Sequence, residues 1–235
     1  MNAIDARPQA ISRRAVLASI WSIYREEAGV LLPAAVALFA IEFVVAIILS
    51  TSLGFILTLL FWVLVTLYQG LVVELVSDLH HSRRHSDLGA LVRGVTPVLA
   101  SLMVISILFA IGVTIGLILL IVPGLILMTL WAVVVPVEVL ERPGVLASFG
   151  RSRALVRGNG WNVFGVIVLV YVLTLAVSLV AAVIAAPLGH VGRDLVQWAV
   201  NVLVVPVAAL SASVLYFALQ EAHGQAGWQT TADVA

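Results

Sequence analysis

Residues 97–140 read PVLASLMVISILFAIGVTIGLILLIVPGLILMTLWAVVVPVEVL, and the whole stretch holds a single charged residue, Glu138. An α-helix needs about 20 apolar residues to cross a hydrocarbon core, so this run is too long for one crossing and long enough for two. Pro123-Gly124 near its middle predicts the reversal, because this dipeptide favours a tight turn. Continuous apolarity without period-2 alternation argues against membrane strands. Arg93 precedes the stretch and Arg142 follows it, while the Pro-Gly corner carries no charge. Arginine-bearing loops stay on the cytoplasmic side, so both ends of this pair are predicted to lie there.

The same reading extends outward in both directions. Further spans are predicted from Ala28 to Ser50, from about Leu53 to Leu75, from Asn162 to Ala186 and from about Leu195 to Leu219. All twelve basic residues are arginines, and all but Arg193 fall in the N-terminal segment or in alternate connections. The predicted fold is therefore all-α. It is a polytopic membrane protein of six transmembrane helices arranged as three hairpins, each preceded by a basic cytoplasmic amphipathic helix. Both termini are predicted on the cytoplasmic side of a bacterial inner membrane. A single membrane domain fills 1–235: an interfacial helix at 1–27, hairpins at 28–79, 97–140 and 161–220, interfacial segments at 80–96 and 141–160, and a tail at 221–235.

Composition agrees with this. The chain has 235 residues, 63% hydrophobic and 10% charged, against about 45–50% and about 25% in soluble domains. The formal net charge is zero, which gives no support for a nucleic-acid partner. There is no cysteine and no lysine. Disulfides, thiolate metal sites, Schiff bases and a phosphate-loop lysine are thereby excluded. No dinucleotide fingerprint or Gly-x-Ser-x-Gly elbow occurs, and no cofactor or metal is expected. His80, His81 and His85 read as a solvated loop rather than a metal site.

Ser12-Arg13-Arg14-Ala15-Val16-Leu17 resembles a twin-arginine export signal, but Arg25, Glu26 and Glu27 interrupt the apolar run that such a signal needs. An amphipathic helix is preferred here, with Val16, Leu17, Ile20 and Tyr24 on one face and Ser12, Ser19, Ser22 and Glu26 on the other. Ala90-Leu91-Val92-Arg93-Gly94 recurs as Ala154-Leu155-Val156-Arg157-Gly158 at the matching place before a span. With the N-terminal segment, this reads as three repeated units.

The most distinctive stretch runs from Gly116 through Pro123-Gly124, Trp131, Pro136 and Leu140-Glu141 to Ser152, Arg157-Gly158-Asn159 and Trp161-Asn162-Val163-Phe164-Gly165. It resembles the membrane domain found in some glycerophosphoryl diester phosphodiesterases and in many stand-alone proteins. In the phosphodiesterases, catalysis belongs to an attached barrel of roughly 200–250 further residues. The resemblance thus implies a membrane module without enzymatic activity.

Candidate site residues follow from cost and position. Glu42 lies mid-span, where an ionised carboxylate is expensive. Gln69 and Asn201 are its predicted hydrogen-bonding neighbours. Arg142, Arg151, Arg153 and Arg157 form a candidate headgroup or anion site, and a salt-bridge network with Glu138 and Glu141 is the favoured alternative. Gly112 and Gly116 permit close helix approach. Asn159 is placed to cap the fifth span and Trp161 to sit at the interface. The expected partners are membrane lipids and a protein partner. The leading functional expectation is a non-catalytic membrane module organising a partner or a lipid; a transporter or lipid-handling protein with a cavity near Glu42 is the alternative.

Overall fold

A computed structural model describes residues 11–48, 54–81 and 88–224. Among them every regular element is helical and no strand occurs. In chain order they are α1 (Arg13–Glu26), α2 (Ala28–Ile48), α3 (Gly54–His80), α4 (Leu88–Val95), α5 (Leu99–Leu119), α6 (Ile121–Leu130), α7 (Val134–Leu140), α8 (Val145–Val156), α9 (Gly160–Ala185) and α10 (His190–Ala222). A 3-10 turn at Thr96–Val98 joins α4 to α5. Five stretches are long and apolar enough to cross a membrane: Phe61–His80, Val92–Leu119, Ile121–Leu140, Gly160–Ala185 and His190–Ala222. Within α2, the apolar stretch Ala28–Ile41 falls short of that length.

The core gathers around α10, which packs on α1, α2, α3 and α9. Its C-terminal half is almost wholly buried, and Leu215, Tyr216 and Leu219 share one core cluster with Tyr68, Val72 and Val73 of α3. The Tyr68 hydroxyl donates to the Leu31 carbonyl at 3.0 Å, and the Phe39 ring packs at a tilt against Phe61 and Tyr68, so α2 and α3 run side by side in opposite directions. Elsewhere the apolar side chains point outward. Ile118 is 78% exposed and Val183 74%, on a surface that continues along α5, α6 and α9. Burying one such side chain away from water is worth about 1.5–3 kcal/mol, so a continuous surface of them belongs against hydrocarbon.

The chain reverses at a different residue from the one predicted. Leu120 has an extended backbone (φ −162°, ψ 140°) that separates α5 from α6, and Pro123-Gly124 lies inside α6. Proline fits the first helical turn, where its missing N–H has no intrahelical partner to lose. Gly124 serves packing: a Cβ there would fall 2.7 Å from the backbone nitrogen of Leu117, and one on Gly116 would fall 2.9 Å from the Gly124 Cα. The close approach predicted at Gly112 is present too, with the Trp131 ring occupying the space beside it.

The predicted fourth span is interrupted. α6 ends at Leu130, residues 131–133 form a turn, and α7 begins at Val134. Pro136 has no N–H to return to the Ala132 carbonyl, which weakens the helix at that point. The Leu130 carbonyl accepts the Ser152 hydroxyl at 2.9 Å, and Trp131 packs edge-on against Phe149 at 4.8 Å. α8 thereby clamps the break.

The amphipathic reading of α1 is correct in its faces. Val16 and Ile20 are buried while Ser19, Ser22 and Glu26 are exposed. The apolar face turns onto α10 and α9 rather than onto lipid. His80, read as part of a loop, is the last residue of α3 and stacks on Phe217 at 4.4 Å. His85 lies outside the described residues.

Candidate functional site

The predicted arginine group divides in two. Arg151 Nε donates to both oxygens of Glu141, at 2.8 and 3.2 Å. The Tyr216 hydroxyl donates to the same carboxylate at 2.9 Å and accepts from Gln220 Nε2 at 2.6 Å. Arg142 sits at φ 51°, in the left-handed region, and is held there by donating to the carbonyls of Gly94 (3.2 Å) and Val139 (3.4 Å). These two arginines fasten α7 to α8, α10 and the end of α4. One turn away, the buried Glu138 accepts the Ser148 hydroxyl at 2.6 Å.

Arg153 and Arg157 face the other way. Both are exposed, one helical turn apart at the C-terminal end of α8, and among the described residues neither makes an ion pair. Side chains at i and i+4 share a helix face, so the two guanidinium groups present one basic surface. Arg157 leads directly into Gly158, the first residue of a groove of about 570 Å³ between α6 and the start of α9, lined by Val122, Ile126, Thr129, Gly158, Trp161 and Phe164. Trp161 is 80% exposed at its edge. A basic surface therefore adjoins an open apolar channel.

Asn159 does not cap α9 through its side chain. Its Oδ1 accepts the backbone N–H of Ile11 at 3.1 Å, and the side chain is buried. Asn162 Oδ1 accepts Arg13 Nε at 3.1 Å, with Gly165 leaving room for the guanidinium. The Asn-Gly-Trp-Asn stretch is thus the dock for the start of α1.

Of the predicted intramembrane polar residues, Gln69 and Asn201 face different surroundings. The side chain of Glu42 lies outside the described residues. Asn201 accepts Gln197 Nε2 one turn earlier on α10, at 3.0 Å. Gln69 lines a separate cavity of about 310 Å³ with Thr66, Ser106 and Ser211. This is not the cavity predicted near Glu42 and Asn201, since Asn201 is not among its walls.

Sequence reasoning gave no site role to Ser148, Ser152, Tyr216 or Gln220. Serines at i and i+4 on one face of α8 were the available signal, since a buried serine needs a partner. The docking of Ile11 and Arg13 on Asn159 and Asn162 had no local signal. Comparison of the chain with family models, with curated proteins and with solved structures returns no match.

Proposed function

We propose that the chain is a non-catalytic membrane module with six spans in three hairpins and both termini cytoplasmic, and that it holds an anionic lipid at the α8–α9 corner. The observation that carries this is the exposed Arg153–Arg157 pair beside the α6–α9 groove. A phosphate-bearing headgroup suits the two guanidinium groups, an acyl chain suits the channel, and Trp161 suits the boundary between them. The resemblance to the phosphodiesterase membrane domain supports the same reading. Arg193, the one arginine on the opposite side in this arrangement, donates to the Ala186 carbonyl at 3.0 Å and so has a local role in capping the end of α9.

A basic residue near an anionic surface contributes about 1 kcal/mol, so two supply roughly 30-fold selectivity. Protein purified from nanodiscs of equal phosphatidylglycerol and phosphatidylcholine is expected to retain phosphatidylglycerol preferentially, read by lipid mass spectrometry. The Arg153→Gln/Arg157→Gln variant is expected to lose that preference; an unchanged lipid ratio ends the proposal. The topology has its own check, because the chain lacks cysteine. Gly189 and Gly150 both face open space. An impermeant maleimide is expected to label Gly189→Cys in intact cells and Gly150→Cys only after the membrane is opened. Labelling of both from one side contradicts the six-span arrangement.

A further inference from the structure

The cavity around Gln69 is walled by helices that are themselves apolar, yet it carries hydrogen-bonding capacity that no neighbour uses. The Thr66 hydroxyl donates to the Trp62 carbonyl at 2.8 Å and the Ser211 hydroxyl to the Val207 carbonyl at 2.6 Å. Each has spent its hydrogen on backbone and offers the cavity only oxygen lone pairs. Ser106 Oγ lies 3.4 Å from Thr66 Oγ1. Gln69 is different. Among the described residues its carboxamide makes no hydrogen bond, so two N–H donors and a carbonyl remain available on a half-buried side chain. The amide is not sealed inside the protein, but with hydrocarbon rather than water around the helices an unpaired amide is costly.

The remaining walls limit what can satisfy it. No residue lining the cavity is charged. An ionic ligand would have to lose its hydration without a counter-charge, which an apolar site penalises heavily. Trp62, Phe109 and Trp131 supply flat apolar walls, and the volume of about 310 Å³ is at the small end of ligand pockets. Trp62 of α3 and Tyr171 of α9 line the cavity and are 38% and 59% exposed, so the cavity is not sealed on the side where these two helices supply its wall. With the chain in a bilayer, that opening faces hydrocarbon rather than water.

We infer that this cavity binds a small uncharged amphiphile that enters laterally from the bilayer. Its hydroxyl or carbonyl pairs with Gln69 and its apolar body lies along Trp62, Phe109 and Trp131. The inference rests on the membrane reading above but not on the arginine surface.

The test uses the full chain in nanodiscs with three photoreactive diazirine probes of equal chain length: a long-chain alcohol, the corresponding carboxylate and an alkane without a head group. Cross-links are mapped by peptide mass spectrometry. The alcohol is expected to mark peptides containing Trp62–Gln69 and Ile105–Ala110, with the carboxylate at least tenfold weaker there. Gln69→Leu is expected to lower alcohol labelling of those peptides about tenfold, the loss of one well-made hydrogen bond. Ala110→Phe, which fills the cavity, is expected to remove it, and Arg153→Gln/Arg157→Gln to leave it unchanged. The alkane reports on embedding by marking the outward face of α9. Alkane on α9 together with alcohol labelling that ignores both Gln69→Leu and Ala110→Phe overturns the cavity assignment alone. Equal labelling by alcohol and carboxylate does the same. Absence of alkane from α9 overturns the membrane reading and the cavity assignment with it.

Discussion

Gly124→Val is expected to destabilise the detergent-solubilised protein by about 1–3 kcal/mol, the usual cost of forcing extra methyl groups into a packed contact. The reason is geometric. A Cβ on residue 124 would lie 2.5 Å from Leu117 Cγ and 2.7 Å from Leu117 N. Leu117 can rotate its side chain; its backbone nitrogen cannot leave α5. The two helices must therefore separate, and separation breaks the adjoining contact between Gly116 and Gly124. It also loosens Trp131, which fills the space beside Gly112 and packs against Phe109 and Phe149. Gly116→Val is expected to act alike, since its obstacle is also backbone. Gly150→Ala supplies the contrast. That glycine sits within α8 with nothing within 4 Å of a new Cβ, and alanine is favoured over glycine in a helix interior by about 1 kcal/mol. Thermal unfolding followed by intrinsic fluorescence should show the first two variants falling and the third holding or rising. Equal midpoints for all three would mean that α5 and α6 do not meet through these glycines.

These glycines also show how far the sequence could be read. Apolar runs were legible because a hydrocarbon solvent leaves few choices: the backbone must satisfy itself, and helices do so locally. Pro123-Gly124 was legible as special but not in its role. A Pro-Gly pair serves a turn, and proline equally serves the first turn of a helix; the contact between Gly124 and Gly116 decides for the second. Asn159 occupies the cap position that local pattern assigns it, yet its oxygen goes to Ile11, far away in sequence. Polar residues within the apolar runs were found by composition, but composition does not say where they face. Asn201 turned to Gln197 along its own helix, a pairing that i,i+4 spacing makes available. Gln69 turned to a cavity whose walls come from helices distant in sequence. Among the arginines, charge count suggested one cluster. The helical period separates them, because Ser148, Ser152 and Leu155 bury one face of α8 and leave Arg153 and Arg157 on the other.

That division yields an opposed pair of outcomes. Arg151→Met is expected to cost stability while leaving lipid preference intact, and Arg153→Gln/Arg157→Gln the reverse. The side chains of Arg151 and Glu141 are 27% and 16% exposed. Removing one partner of a fully buried pair costs about 3–5 kcal/mol, because the other charge is stranded. Partial solvent contact softens this, and about 2 kcal/mol is expected. Methionine keeps most of the packing length, so the loss reports on charge rather than on a cavity. Tyr216 then becomes informative, since its hydroxyl donates to Glu141 and is the remaining described donor to that carboxylate once Arg151 is gone. Tyr216→Phe alone also strands the Gln220 amide that donates to it. In the double variant the two losses should not add, with a coupling of about 0.5–3 kcal/mol as found for residues sharing one network. Strict additivity in unfolding measurements would mean that the three groups act separately. Loss of phosphatidylglycerol preference in Arg151→Met would mean that the inward arginine also reaches lipid, and the two-sided reading of α8 would fail.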